Sequence, residues 1–128
     1  MSLKDTLRIM VVDDMSTSRA LVMQALDEIG IRHVDHRNDP AQALRSLVAS
    51  PVHLVLSDYN MPGMDGLQLL QALRQTKSTH GIGFILITGR ADKTLIEKGR
   101  TLGMNNFLLK PFTTASLKAC IQAVVGPV

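Results

Sequence analysis

The sequence predicts an open parallel α/β sheet of five strands, each followed by a helix. Three observations carry this. The apolar runs at residues 7–12, 52–56, 84–87 and 107–109 are short and continuous rather than alternating, the pattern of strands covered on both faces. Apolar residues at helical spacing occupy the stretches between them. The chain has 128 residues, 45% of them hydrophobic and 20% charged, enough for one core, so residues 1–128 read as a single domain.

The elements follow in order. Residues 7–12 form the first strand. Val22, Ala25, Leu26 and Ile29 then sit at i, i+3, i+4 and i+7, and Gly30 supplies the stop. Residues 32–36 are a weaker strand whose charges suit a sheet edge. Asn38 or Asp39 caps a helix with Pro40 at its first position and Ala41, Leu44, Leu47 and Val48 inward. Leu67, Leu70 and Leu73 mark a helix after the run at 52–56. Leu95 and Ile96 mark a weaker one after 84–87, interrupted by Gly99. Leu117, Ile121 and Val124 mark the last, capped by Thr113 or Thr114. Strand then helix, five times over, implies right-handed crossovers.

Composition excludes several classes. No apolar run approaches the roughly 18–20 residues of a membrane span. Charges in residues 1–8 replace the apolar core of a signal peptide, so a cytoplasmic protein is expected. One cysteine, Cys120, allows no internal disulfide or cysteine metal cage, and reads as a small core residue. Three Phe, one Tyr and no Trp are too few to stack nucleic-acid bases. The net charge is +3, but the basic residues are scattered, so no nucleic-acid partner is expected. His33 and His36 would face opposite sides of a strand and hold no metal. Met61 and Met64 read as packing residues.

The polar residues at the strand ends are more informative. The runs end in Asp13-Asp14, Ser57-Asp58, Thr88 and Lys110-Pro111. Alone, each has a plainer reading: a helix cap, a turn, a structural threonine, a surface lysine. In a flavodoxin-like sheet of order 2-1-3-4-5, however, ligands bind beyond the carboxyl ends where strand order reverses. Asp13, Asp14 and Asp58 then converge, flanked by Thr88 and Lys110. Three close carboxylates repel unless a cation joins them, and oxygen ligands without His or Cys suit Mg²⁺. With an ammonium and a hydroxyl added, the set forms a receptor for a transferring phosphoryl group. A carboxylate there can act as nucleophile and become an aspartyl phosphate.

These residues resemble the response-regulator receiver domains of two-component signalling. The resemblance is carried by Val11-Val12-Asp13-Asp14, by Ser57-Asp58-Tyr59-Asn60-Met61-Pro62-Gly63-Met64-Asp65-Gly66, by Ile87-Thr88-Gly89 and by Leu109-Lys110-Pro111-Phe112. It covers about residues 7–125 and is nearest to stand-alone chemotaxis regulators of the CheY type. It implies that Asp58 takes a phosphoryl group from a phosphohistidine of a sensor histidine kinase. It implies that Asp14, Asp58 and the Asn60 carbonyl ligate Mg²⁺, with Asp13 acting through water. Lys110 would pair with Asp58 and then with a phosphoryl oxygen, Thr88 would swing toward that group, and Phe107 would be the aromatic switch. The Lys110–Pro111 bond would be cis. Asn60 and Arg90 would stand at positions that tune hydrolysis, and Arg90, Lys93 and Ile96 would lie on the output face. Phe107 lacks the hydroxyl that many chemotaxis members carry as Tyr.

The resemblance thus implies a switch that catalyses only its own phosphorylation and dephosphorylation, monomeric, without membrane or nucleic-acid partners. No output domain follows residue 128, so its output would be a protein: a flagellar motor switch protein, or a phosphatase. A phosphate sink or phosphorelay intermediate is the alternative. An aspartyl phosphohydrolase would need an Asp-x-Asp on the first strand, and a flavodoxin a hydroxyl-rich loop where the aspartates stand.

Overall fold

All four apolar runs become strands, and the charged run becomes the fifth, at an edge. The computed structural model describes residues 2–90 and 92–128. In chain order the elements are α1 (Leu3–Thr6), β1 (Arg8–Val12), α2 (Ser16–Ile29), β2 (His33–Arg37), α3 (Pro40–Ala49), β3 (Leu54–Asp58), α4 (Gly66–Gln75), β4 (Gly83–Thr88), α5 (Lys93–Thr101), β5 (Asn106–Leu109) and α6 (Thr114–Val125). The five strands are parallel, in the order β2-β1-β3-β4-β5. Among the described residues, no helix is long and apolar enough to cross a membrane.

Successive side chains of a strand face opposite sides, and this divides the core in two. Ile9, Val11, Leu54, Leu56, Ile85 and Ile87 face α2 and α6, where they meet Val22, Leu26, Leu117 and Ile121. Met10, Val12, Val55, Phe84 and Leu86 face the other layer and meet Leu47 of α3, Leu70 of α4 and Leu95 of α5. The central strands β1, β3 and β4 are buried on both faces, which is why their sequences are uninterrupted apolar runs.

The helix ends follow their local signals. Gly30 closes α2 in the left-handed region at φ 96°. Asp39, not Asn38, caps α3 by accepting from Ala41 N. Thr113, not Thr114, caps α6 by accepting from Ser116 N. Four details depart from the sequence reading. Ser2 and Asp5 cap a one-turn helix, α1, too short to show a periodicity. β3 runs two residues later than its apolar run and so reaches Asp58 itself. The inward face of α3 is Pro40, Ala43 and Leu47, while Val48 is exposed. Gly99 does not interrupt α5, which continues to Thr101. A Cβ at Gly99 would lie 2.8 Å from Met104 Sδ, so this glycine lets the helix approach the turn before β5.

Candidate functional site

The site lies beyond the carboxyl ends of β1, β3, β4 and β5. Asp13 N continues the β1–β2 ladder to Arg37 O at 3.1 Å, so the chain is still extended as it delivers Asp13 and Asp14. The Asp13 carboxylate accepts from Met15 N at 3.0 Å, and its carbonyl accepts from Arg19 Nη1 at 2.8 Å. Both contacts tie the acidic pair to the start of α2. Asp58 is the last residue of β3. Gly66, the first residue of α4, donates its N–H to Tyr59 O at 2.8 Å. A Cβ on Gly66 would collide with the Asp58 carbonyl oxygen, so the loop carrying Asp58 folds against a residue without a side chain.

One carboxylate oxygen each from Asp13, Asp14 and Asp58 lies within 4.8 Å of the others. Asp13 is buried, and the other two are half-buried. Lys110 Nζ stands 3.2 Å from Asp58 Oδ1 and 3.8 Å from Asp13 Oδ2. Its backbone N–H, donating to Thr88 O at 2.8 Å, extends the β4–β5 ladder and brings the lysine to the cluster. Burial pushes the Asp58 carboxyl above its ordinary range; Lys110 draws it down, and the Asp13 charge pushes it up further. Asp14 Oδ1 is buried and has no hydrogen-bond partner among the described residues. An orphaned buried acceptor is costly, and in an oxygen-only donor set a hard cation satisfies it.

The other sequence-named residues lie outside this set of three carboxylates and one lysine. Thr88 is buried, and its Oγ1 accepts from Arg90 N at 3.2 Å. Arg90 is exposed and its guanidinium pairs with Asp92, the cap of α5, at 2.9 Å. Asn60 is exposed on the loop after β3. Phe107 is half-buried against the α3–α5 side of the core. Lys93 is exposed and lies 3.9 Å from Glu97, and Ile96 is half-buried. The Lys110–Pro111 peptide is cis, as the resemblance implies.

Two features carried no sequence signal. Ser18 Oγ accepts from Lys110 Nζ at 2.8 Å, across 92 positions that no local pattern links. A groove of about 580 Å³ runs beside it between α2 and the 110–114 segment, lined in part by Met15, Leu21 and Phe112. Met15 is 61% and Leu21 57% exposed.

With this geometry, the chain matches the model of the response regulator receiver domain over residues 9–122. It is 40% identical over 126 residues to a probable chemotaxis protein CheY of Rhizobium etli, covering 98% of each chain. It is 34% identical over 122 residues to chemotaxis protein CheY-3 of Vibrio cholerae, covering 95% of this chain and 94% of the other. Among solved structures it superimposes on chemotaxis protein CheY4 of Vibrio cholerae with a TM-score of 0.86 at 25% identity, covering 93% of this chain and 98% of that one. It superimposes on the receiver domain of a Pseudomonas aeruginosa sensor histidine kinase with a TM-score of 0.84 at 28% identity, covering 94% and 98%. That neighbour has a magnesium ion coordinated in its active site cleft, and with the acidic cluster here it suggests Mg²⁺. The strand order, the strand-end cluster and these relatives agree: the chain belongs to the response regulator receiver domain family and is similar to CheY-type chemotaxis regulators over nearly its whole length.

Proposed function

We propose that this chain is a phosphorylation switch in which Asp58 accepts a phosphoryl group from a phosphohistidine of a sensor histidine kinase. The observation that carries the reading is the convergence of Asp13, Asp14 and Asp58 with Lys110 on Asp58. A carboxylate oxygen of Asp58 attacks phosphorus; the new O–P bond forms as the N–P bond breaks, and the imidazole nitrogen keeps the electron pair. Asp14, Asp58 and the Asn60 carbonyl would hold Mg²⁺, with Asp13 acting through water. When bound, the ion would supply positive charge to the phosphoryl oxygens. Lys110 supplies a second, fixed positive charge, moving from Asp58 to a phosphoryl oxygen.

Thr88 carries the signal outward. Its hydroxyl is held by Arg90 N–H, and donating to a phosphoryl oxygen draws it away from that bond. The space it leaves is filled by Phe107, one strand over: Leu86 of β4 pairs with Phe107 of β5. This reshapes the face that carries Arg90, Lys93 and Ile96, a local charge event biasing a two-state element. Water then attacks phosphorus, the O–P bond to Asp58 breaks, and inorganic phosphate leaves with Asp58 restored as a carboxylate, at a rate tuned by Asn60 and Arg90. The chemotaxis relatives support a flagellar motor switch protein as the partner on that face, or a phosphatase. The site of action is the cytoplasm, and the switch acts as a monomer.

A second reading has its own support. Two structural neighbours are receiver domains of sensor histidine kinases, at TM-scores of 0.84 and 0.80, which favours a phosphorelay intermediate or phosphate sink. A pull-down from native lysate with Mg²⁺, with and without beryllium fluoride as phosphoryl mimic, separates the readings. Capture of a motor switch protein only with the mimic, and not by Asp58→Asn, is the expected result. Capture of kinases or phosphotransfer proteins alone makes the chain a relay carrier or sink.

A further inference from the structure

Among the described residues the Lys110 ammonium has three oxygen neighbours, and the shortest contact is to a hydroxyl, not to a carboxylate. Ser18 Oγ lies at 2.8 Å, Asp58 Oδ1 at 3.2 Å and Asp13 Oδ2 at 3.8 Å. We propose that Ser18 is a positioning residue for phosphoryl acceptance: its hydroxyl holds the Lys110 ammonium against Asp58. The proposal rests on the roles given above to Asp58 and Lys110.

Lysine is a compact charge on a flexible stem with three rotatable donors. Its side chain here is 28% exposed, so water competes for those donors. Without Ser18 the ammonium keeps only the two carboxylates as partners among the described residues, and is free to lean toward Asp13 or toward solvent. With Ser18 engaged, one N–H is committed to the hydroxyl and the nitrogen is held by two contacts, to Ser18 and to Asp58. The remaining hydrogens are then aimed at the carboxylate that gains the phosphoryl group, and afterwards at the oxygens it brings. A donor held in place before the reaction needs no reorganisation during it.

The backbone under Ser18 is suited to this. Ser18 lies in the first turn of α2, whose Val22, Ala25, Leu26 and Ile29 are buried. The next residue, Arg19, donates to the Asp13 carbonyl at 2.8 Å, so the same turn is tied to the acidic loop. A helical serine commonly turns its hydroxyl back to the carbonyl one turn earlier. Among the described residues, Ser18 donates no such bond, and its recorded contact is as acceptor from Lys110.

The test compares the wild type, Ser18→Ala and Ser18→Thr, with Asp58→Asn as control. Phosphorylation by acetyl phosphate and Mg²⁺ is followed by intact mass, and the Lys110 side-chain ammonium by ¹⁵N NMR. Losing one hydrogen bond to a partly exposed charge should slow phosphorylation of Ser18→Ala about fivefold. The Lys110 ammonium signal should broaden through exchange with water, and Ser18→Thr should restore both. Alanine is a strong helix former, so thermal stability should hold, which separates positioning from folding. A Ser18→Ala rate equal to the wild type, with an unchanged Lys110 signal, overturns the assignment of Ser18 alone. A wild type that gains no more phosphoryl group than Asp58→Asn overturns the receiver chemistry, and the proposal with it.

Discussion

Asp58 is a carboxyl group whose surroundings favour its neutral form. Burial and Asp13 together outweigh Lys110 and hold its pKa above the ordinary value. The native protein therefore binds this proton more tightly than the unfolded chain, and native stability falls as pH rises through that range. Below the carboxylate range both states are protonated and the penalty vanishes. Asp58→Asn removes it, so in Mg²⁺-free buffer the variant should show a higher denaturation midpoint than the wild type at pH 7, with the gap closing near pH 4. The same substitution should abolish phosphorylation, since no carboxylate remains to attack; a full-yield acyl phosphate in Asp58→Asn would sink the assignment. Cys120 shows the opposite outcome of burial, protection without function. Desolvation pushes its thiol up to about 11. At pH 8 the thiolate is then roughly a hundredfold scarcer than for a free thiol near 8.5. Alkylation by iodoacetamide should be slower than in the urea-unfolded chain by at least that factor, and equal rates would contradict the burial.

At the scale of the elements, two buried glycines look alike in the sequence and differ in what surrounds them. A Cβ on Gly66 meets the Asp58 backbone carbonyl and stands 2.8 Å from Leu86 Cδ1. Neither the strand nor the core can give way, so Gly66→Ala should cost about 1–3 kcal/mol and displace the loop that carries Asp58. A Cβ on Gly99 meets the flexible end of Met104, and alanine gains up to about 1 kcal/mol of helix propensity there. Gly99→Ala should therefore be near neutral in urea denaturation, and a loss as large as that of Gly66→Ala would refute the distinction. Sequence reading took Gly99 for a helix breaker because propensity is local while the approach to Met104 is tertiary. It placed Val48 inward for a related reason: Leu44, Leu47 and Val48 all fit a helical stripe, and only the packing of α3 decides which side is covered. By contrast, the meeting of Asp13, Asp14, Asp58 and Lys110 was legible. Each lies at or just past the carboxyl end of a strand, and parallel topology brings those ends together whatever their separation in the chain. Ser18 was not legible, since it ends no strand and its partner is fixed only once α2 is docked against β1 and α6. The edge strand β2 shows a further device. His36 N–H bonds the Asp35 carboxylate at 2.8 Å, and its C=O accepts from Arg37 at 2.7 Å. Two neighbouring charges thus occupy backbone groups of the edge, which deters pairing with another chain.

At the scale of the molecule, Lys110 joins layers that otherwise touch the cluster separately. Its ammonium reaches Asp58 on β3 and Ser18 on α2, and its backbone N–H reaches Thr88 on β4. Phe107, three residues earlier and on β5, packs against the core under α3–α5. A charge placed on Asp58 can therefore act on β5 through the lysine, as well as through the Thr88 hydroxyl. Removing the ammonium should leave Asp58 able to accept a phosphoryl mimic but weaken the second half of the switch. With beryllium fluoride and Mg²⁺, amide shifts in the wild type should extend from residues 58–60 along β5 and into α5. In Lys110→Ala they should remain near Asp58, and the gain in partner affinity on phosphorylation should be lost. Wild-type shifts and an undiminished affinity gain in Lys110→Ala would mean that Thr88 alone carries the signal, and that the lysine serves only to neutralise charge at the site.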